Sequence, residues 1–478
     1  MFRRICIFAA QKKLTMGIAT QILGLVASLA FLIMTHELGH FAFAKLFKIR
    51  VDQFYMFFNP GFSIMRMKHF DGKMHFSFFS GRPPKEWKDH PESTEWGIGW
   101  LPLGGYCAIN GMVDETTKAS DLSEEIHPWE FRAKPAWQRL LVISGGVLVN
   151  FLSALIIYIA VCYTWGREYI PLNNARYGLE FSQEMLDAGF RNGDKILFID
   201  TVKPQTLGDF TNDILLEDVK TVTVERDGQQ VVLNIPKTLA RKVVGASKQG
   251  EPFCNYRFPF VIDSVLAETP AAQAGLQKGD SLVGVDDSTL FSFFDFKKTF
   301  LDNKSQELDI AFYRGDSLYH ASVRLDSLGA IGVAPKQPYQ FFGTVQESYS
   351  FFQSIPKGIV MGFSTLGDYV KQFKIIFTKE GATQLGSFLT IGSIFPKVWD
   401  WYRFWNMTAL LGIILAFMNI IPIPGLDGGY LLFILFEMIT GKKPSDKFLG
   451  IANTIGFALL IALMVYALGL DFRRFFFK

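Results

Sequence analysis

Cysteine is scarce in this chain: 4 residues in 478, at Cys6, Cys107, Cys162 and Cys254, with no CxxC pair among them. Such scatter suggests neither a disulfide framework nor a thiolate metal site. Net charge is nearly absent too, +3 from 48 basic and 45 acidic residues, so the sequence has no nucleic-acid footprint. Charge is missing altogether from four long stretches: Leu14–Thr35, Leu140–Gly166, Phe404–Leu426 and Phe448–Leu470. The first would rise about 33 Å as a helix, enough to cross a bilayer core. Each could be a buried core helix, but uncharged runs of this length favour membrane spans. The basic segment Met1–Lys13 precedes the first run as in a signal peptide. That run continues into His36, so an uncleaved first span is expected.

What the chain does contain is concentrated at His36-Glu37-Leu38-Gly39-His40, directly after the first uncharged run. On a helix His36 and His40 share one face, one turn apart, and two such imidazoles can bind one zinc ion. Glu37 lies beside them, placed to take a proton from water at the metal. Five-residue HExxH matches also arise by chance. A glutamate at membrane depth, however, costs about 2.5–3.5 kcal/mol on insertion scales and is a functional hypothesis by default.

The fold class expected is a polytopic α-helical membrane protein with four transmembrane segments, membrane-associated β elements and two inserted β-rich domains. The spans are expected at 14–47, 139–166, 404–440 and 447–470. In the second, Gly145-Gly146 and Asn150 suit close helix packing. Residues 48–138 carry the β elements. Val51–Met67 alternates around Asn59-Pro60-Gly61 and reads as a β-hairpin. Pro84–Pro91 reads as a polar surface loop, and Glu95–Met112 as extended chain with glycine kinks, either an ordinary loop or an edge strand near the metal. Trp129–Arg139 has the aromatic and basic mixture of an interfacial segment.

Two soluble stretches repeat one pattern, AGxxxGD followed by an apolar strand, from Ala188 to Ile196 and from Ala274 to Leu282. They resemble PDZ domains, expected at 167–240 and 255–335. PDZ domains can bind extended peptides by strand addition, and spacers or lids are the alternative. Residues 336–403 are expected to be an amphipathic linker along the membrane surface, helical within Ser348–Phe377.

The third apolar segment is broken by Asn419-Ile420-Ile421-Pro422-Ile423-Pro424-Gly425-Leu426-Asp427-Gly428-Gly429. Its prolines and glycines cannot continue a helix smoothly, and broken backbone at membrane depth must be buried in protein or face a cavity. Taken alone, Asp427 is as readily a helix cap as a metal ligand. Paired with the histidines of the first span, it reads as the third ligand.

HExxH in the first span with NxxPxPxLDGG in the third resembles the site-2 protease family of intramembrane zinc metalloproteases. The paired PDZ-like repeats and the stretch LPLGGY at Leu101–Tyr106 resemble its bacterial regulator-of-sigma-E protease branch. The resemblance covers nearly the whole chain. It implies His36, His40 and Asp427 as zinc ligands, Glu37 as general base, and Asn419 as a holder of substrate backbone. Pro422 and Pro424 would join it around the substrate. Val51–Met67 and Leu101–Tyr106, with Leu101, Gly104 and Gly105, would present β edges to an unwound substrate.

It further implies a bacterial inner-membrane protein with both termini and the PDZ pair on the periplasmic side. The substrates would be single-span membrane proteins trimmed by an upstream protease, anti-sigma factors or remnant signal peptides, with the lipid bilayer as the other partner. Charge alone is ambiguous about orientation. The lysines of Gly441–Lys447 suit the cytoplasm, while the N-terminal arginines and Arg473-Arg474 pull the other way. Three places depart from the family pattern: Tyr430 where histidine is frequent, a long polar loop around Pro84–Glu95, and LGSFLTIGSIF at Leu385–Phe395 in place of a Gly-Pro pair. The rival readings are a catalytically silent membrane scaffold carrying PDZ domains and an ion or proton carrier using Glu37 and Asp427.

Overall fold

The computed structural model describes residues 2–102, 104–112, 125–246, 252–376 and 388–476. Two compact units emerge. One is an insertion built on Arg167–Glu347, and the other comprises the described residues on either side of it.

The larger unit is a helical bundle with one sheet. Helix α1 (Phe2–Leu46) carries the histidine motif near its end. Strands β1 (Val51–Met56), β2 (Ser63–Phe70), β3 (Lys73–Ser80), β4 (Glu95–Ile98) and β5 (Tyr106–Ile109) follow. Then come helices α2 (Ala136–Thr164), α3 (Phe351–Ile376), α4 (Phe388–Ile394), α5 (Trp401–Ile420), α6 (Asp427–Thr440) and α7 (Asp446–Phe476). Among the described residues, four helical stretches are long and apolar enough to cross a membrane: Met16–Leu46, Ala136–Thr164, Trp401–Ile420 and Lys447–Arg473. The molecule is a membrane protein with mixed helix and sheet.

Small residues let the spans approach. A Cβ on Gly39 would lie 2.2 Å from the Gly145 carbonyl oxygen, so α1 and α2 touch backbone to backbone. Ser28 of α1 and Thr408 of α5 share a buried hydroxyl contact of 2.6 Å. Asp400 starts α5 by accepting from the Arg403 amide at 3.0 Å. At the far end of the bundle, Arg139 of α2 pairs with Glu437 of α6.

The sheet order is β3-β2-β4-β1-β5. Val51–Met67 is therefore not a hairpin: β4 lies between β1 and β2, parallel to the first and antiparallel to the second. The cause is Glu95 of β4. Its carboxylate receives Tyr55 of β1 at 2.5 Å and Arg66 of β2 at 2.9 Å, all of them buried. Burial raises the Tyr55 hydroxyl well above its usual range, with Glu95 adding to the effect. The hairpin is β2–β3, whose turn Asp71-Gly72 has positive φ at both residues (50° and 69°), as a type I′ turn requires. Consequently β1 and β2 have no free edges. The outer strands are β3 and β5; of the two strands within Glu95–Met112, β4 is central and β5 is an edge.

The polar loop after β3 is pinned down by Trp87, which is buried and accepts a hydrogen bond from Lys68 Nζ at its carbonyl, 2.8 Å. Helix α3 lies within the stretch expected to be helical, Ser348–Phe377. It runs antiparallel along α2, Gly358 against Ile159, Gly362 against Leu155, and Phe363 edge-on to Phe151 at 5.3 Å. Ser354, Gly358 and Gly362 place a small residue every fourth position, which permits that contact. Within Leu385–Phe395, residues 385–387 lie outside the described residues. Residues 388–394 form α4, where Asp471 of α7 accepts from the Thr390 amide (3.2 Å) and hydroxyl (2.7 Å).

The inserted unit holds two copies of one arrangement. Asp194 accepts the Arg191 amide and a two-pronged Arg226 contact (2.8 and 2.7 Å), while Arg226 also reaches the Gly189 carbonyl. Asp280 accepts the Gln277 amide and the same contact from Arg314 (2.8 and 2.7 Å), and Arg314 reaches the Gly275 carbonyl. Both helices that follow begin with a capping box, Thr206/Asp209 and Ser292/Asp295. Strand Cys254–Tyr256 closes the first copy against Leu179–Phe181, beyond the expected boundary at 240. The second copy closes with Val333–Pro335 against Ile262–Val265. Arg167–Tyr169 and Val345–Glu347 pair with each other, so the insertion begins and ends side by side.

Candidate metal centre

Helix geometry brings His36 and His40 together on α1, with their ring nitrogens Nε2 3.2 Å apart. The third group arrives from the break between α5 and α6. Helix α5 ends at Ile420, the chain turns through Pro422 and Pro424, and α6 starts at Asp427. A Cβ on Gly428 would stand 2.1 Å from the Ile421 carbonyl oxygen, so only glycine lets the new helix start so close to the break. The N-cap of α6 is Leu426, without a side-chain cap bond. The Asp427 carboxylate instead faces the rings, with Oδ2 3.2 Å from His36 Nε2 and 3.4 Å from His40 Nε2.

These separations are those of a shared cation. Bonds of about 2.0–2.1 Å in a tetrahedral site put neighbouring ligand atoms about 3.3 Å apart. Asp427 Oδ2 is buried without a hydrogen-bond donor, as a carboxylate oxygen reserved for a metal would be. Two imidazoles and a carboxylate form a zinc-type donor set, and His36, His40 and Asp427 could hold that ion.

Helix α2 forms the back wall. A Cβ on Gly146 would lie 2.5 Å from both His36 Cε1 and His40 Nε2, so the glycine leaves the rings their space. The sequence marks Gly145-Gly146 as a packing site; that Gly146 packs on the metal motif itself is visible only in three dimensions. His40 Nδ1 faces the Val142 carbonyl at 2.9 Å.

Glu37 is half-buried on α1. Ile33, one turn earlier on the same face, meets Gly105, whose Cβ would stand 2.7 Å from Ile33 Cγ2. Gly104 packs on the Phe58 ring, and Leu101 bridges to Phe58. Gly105 thus touches α1, while Leu101 and Gly104 of the same loop pack on Phe58; residue 103 lies outside the described residues. Tyr106 stacks on Tyr55 at 5.0 Å and donates to Asn59 Oδ1 at 3.1 Å. Burial pushes its hydroxyl up to about 12, so it stays neutral. Asn419 is buried in the last turn of α5, while Pro422 and Pro424 form the break itself. Tyr430 accepts Asn453 Nδ2 of α7 at 3.0 Å, a contact between helices that residue type alone does not announce.

The sequence profile of Peptidase family M50 matches residues 24–81 and 72–463. The chain is 25% identical to the regulator of sigma E protease of Haemophilus influenzae, over 94% of this chain and 98% of the relative. It is 23% identical to metalloprotease MmpA of Caulobacter vibrioides, over 96% and 97%. It is also 24% identical, over 95% and 99%, to a Neisseria meningitidis protein provisionally named a zinc metalloprotease. With four apolar helices, two histidines and one aspartate converging, and a family match along most of its length, the chain belongs to peptidase family M50, the site-2 protease family of zinc metalloproteases.

Proposed function

We propose that this metalloprotease hydrolyses peptide bonds within transmembrane segments of single-span membrane proteins already trimmed by another protease, anti-sigma factors or remnant signal peptides. The observation that carries the reading is the position of the donor set: His36 and His40 lie on one apolar span and Asp427 at the break in another apolar segment. Three costly polar groups at membrane depth suit a substrate that is itself a membrane helix. The name of the Haemophilus relative fits a role in regulated intramembrane proteolysis.

His36, His40 and Asp427 would hold the ion. Zinc, when bound there, supplies Lewis-acid polarisation of the scissile carbonyl and acidifies water. Glu37 accepts a proton from the attacking water and returns it to the leaving amine. A substrate helix has its carbonyls hydrogen-bonded internally and must unwind before attack. Asn419 holds its backbone, Pro422 and Pro424 shape the adjoining wall, and the loop with Leu101, Gly104 and Gly105 lies along the unwound strand. Edge strand β5 offers main-chain partners that lower the cost of unwinding. The two inserted copies act as PDZ domains that select substrates. The protein resides in a bacterial inner membrane with these domains in the periplasm.

Membrane proteomics comparing wild type with a Glu37→Gln strain tests the reading. Accumulation of trimmed single-span stubs in the variant is expected, and identical stub profiles in the two strains would overturn it.

A further inference from the structure

We infer that Asn150 is a positioning residue that sets the tautomer of His36, with Thr35 orienting its amide. The inference rests on the reading of His36 as a zinc ligand. Asn150 lies on α2 one turn beyond Gly146 and is completely buried. One end of its amide is 3.3 Å from His36 Nδ1. The other end is 3.0 Å from Thr35 Oγ1, and that hydroxyl is also 3.0 Å from the Leu32 carbonyl oxygen.

The two ends of an amide are told apart by their partners. With Nδ2 facing the ring, His36 Nδ1 would have to accept, and the neutral ring would carry its proton on Nε2, toward Asp427 and His40. Thr35 would also have to give one proton to both Leu32 and Asn150. With the amide turned over, both conflicts vanish. Asn150 Oδ1 accepts from His36 Nδ1–H, Nδ2 donates to Thr35 Oγ1, and Thr35 donates to the Leu32 carbonyl. Each proton has one acceptor, and Nε2 is left bare beside Asp427 Oδ2 at 3.2 Å. His40 is arranged alike, its Nδ1 donating to the Val142 carbonyl at 2.9 Å. Both outward ring protons therefore end on α2, which sets the direction of both lone pairs.

The test uses the full-length protein, with zinc affinity read by chelator competition and His36 protonation read by NMR on 15N-histidine-labelled, zinc-loaded samples. Asn150→Leu, similar in volume but without an acceptor, should weaken zinc binding by roughly 10–100-fold. Asn150→Asp keeps the acceptor and should stay within a few-fold of wild type. Thr35→Val should weaken binding by less than Asn150→Leu. The wild-type spectrum should show His36 protonated at Nδ1. A bare Nδ1, undiminished affinity in Asn150→Leu, or equal losses in Asn150→Asp and Asn150→Leu would each overturn the inference. If Asn150→Leu fails to fold, the wild-type spectrum and Asn150→Asp decide. Wild-type protein that binds no zinc would instead strike the reading of His36 as a ligand.

Discussion

His36 Nε2 and Asp427 Oδ2 stand 3.2 Å apart although nearly the whole chain lies between them. The contact joins the end of the first span to the break in the third apolar segment, and it decides between two roles for Asp427. A cap would bond the first amides of α6; this carboxylate faces two imidazoles instead.

Asp427→Asn keeps the size and loses the charge. If Asp427 is a ligand, zinc affinity should fall by a factor of roughly 10–100 or more, by comparison with the cost of disturbing outer-shell partners. Cleavage should fall in step, with partial recovery at high zinc. A cap would tolerate asparagine with little loss. Bound zinc per chain, measured across a zinc titration, separates the two.

Gly146→Ala puts a methyl group 2.5 Å from His40 Nε2. Overpacking of this kind costs about 1–3 kcal/mol. Because the rings are what the methyl meets, the loss should appear as a zinc affinity lowered by roughly 10–100-fold. Chelator competition against wild type checks it, and an unchanged affinity would mean that α1 and α2 can separate freely at this point.

Removing Arg167–Glu347 and joining the flanks with a flexible linker should leave a protein that binds zinc and still cleaves, with relaxed substrate choice. The two ends of the insertion pair as adjacent strands, so a short linker can close the gap. His36, Glu37, His40 and Asp427 all lie outside it. Cleavage of a panel of substrates of different size checks the prediction. A zinc-bound truncation that cuts none of them would contradict selection by the insertion.

Asp280 gives the second inserted copy an acid-sensitive link. Burial opposes its ionisation, but the Arg314 guanidinium and the Gln277 amide overcome this and hold the carboxyl below its usual value. A depressed folded value contributes stability above the unfolded value of about 3.9, and that stability is lost as pH falls through the folded value. Calorimetry of the full chain from pH 6 down to pH 3 should show the insertion's transition falling in temperature. In Arg314→Leu the transition temperature should already be lower at pH 6, reflecting a stability loss of about 1.5–3 kcal/mol for the lost charged hydrogen bonds.

Much of this was legible in the sequence because it rests on local pattern. Uncharged runs mark the spans, i,i+4 spacing joins His36 to His40, and paired prolines break the helix before Asp427. The repeated AGxxxGD announces the two inserted copies, whose Asp194 and Asp280 make matching arginine contacts. Long-range pairing was not legible. Nothing local says that Glu95 satisfies Tyr55 and Arg66 and so wedges β4 between two strands that alternation alone would join. Helix α3 lies within the stretch that pattern marks as helical, but its packing along α2 through Gly358 and Gly362 is a long-range contact that no local signal announces. Asn150 reads as packing until its amide is seen beside His36.

The central claim is that Glu37 is the general base of a zinc site built by His36, His40 and Asp427. Glu37→Gln keeps the shape of the side chain and removes its capacity to take a proton. Purified wild type and Glu37→Gln should therefore carry the same zinc, near one ion per chain, while the variant cleaves a transmembrane substrate at a rate lower by roughly 100-fold or more, the scale of general-base catalysis. Equal zinc with cleavage near the wild-type rate would contradict the account.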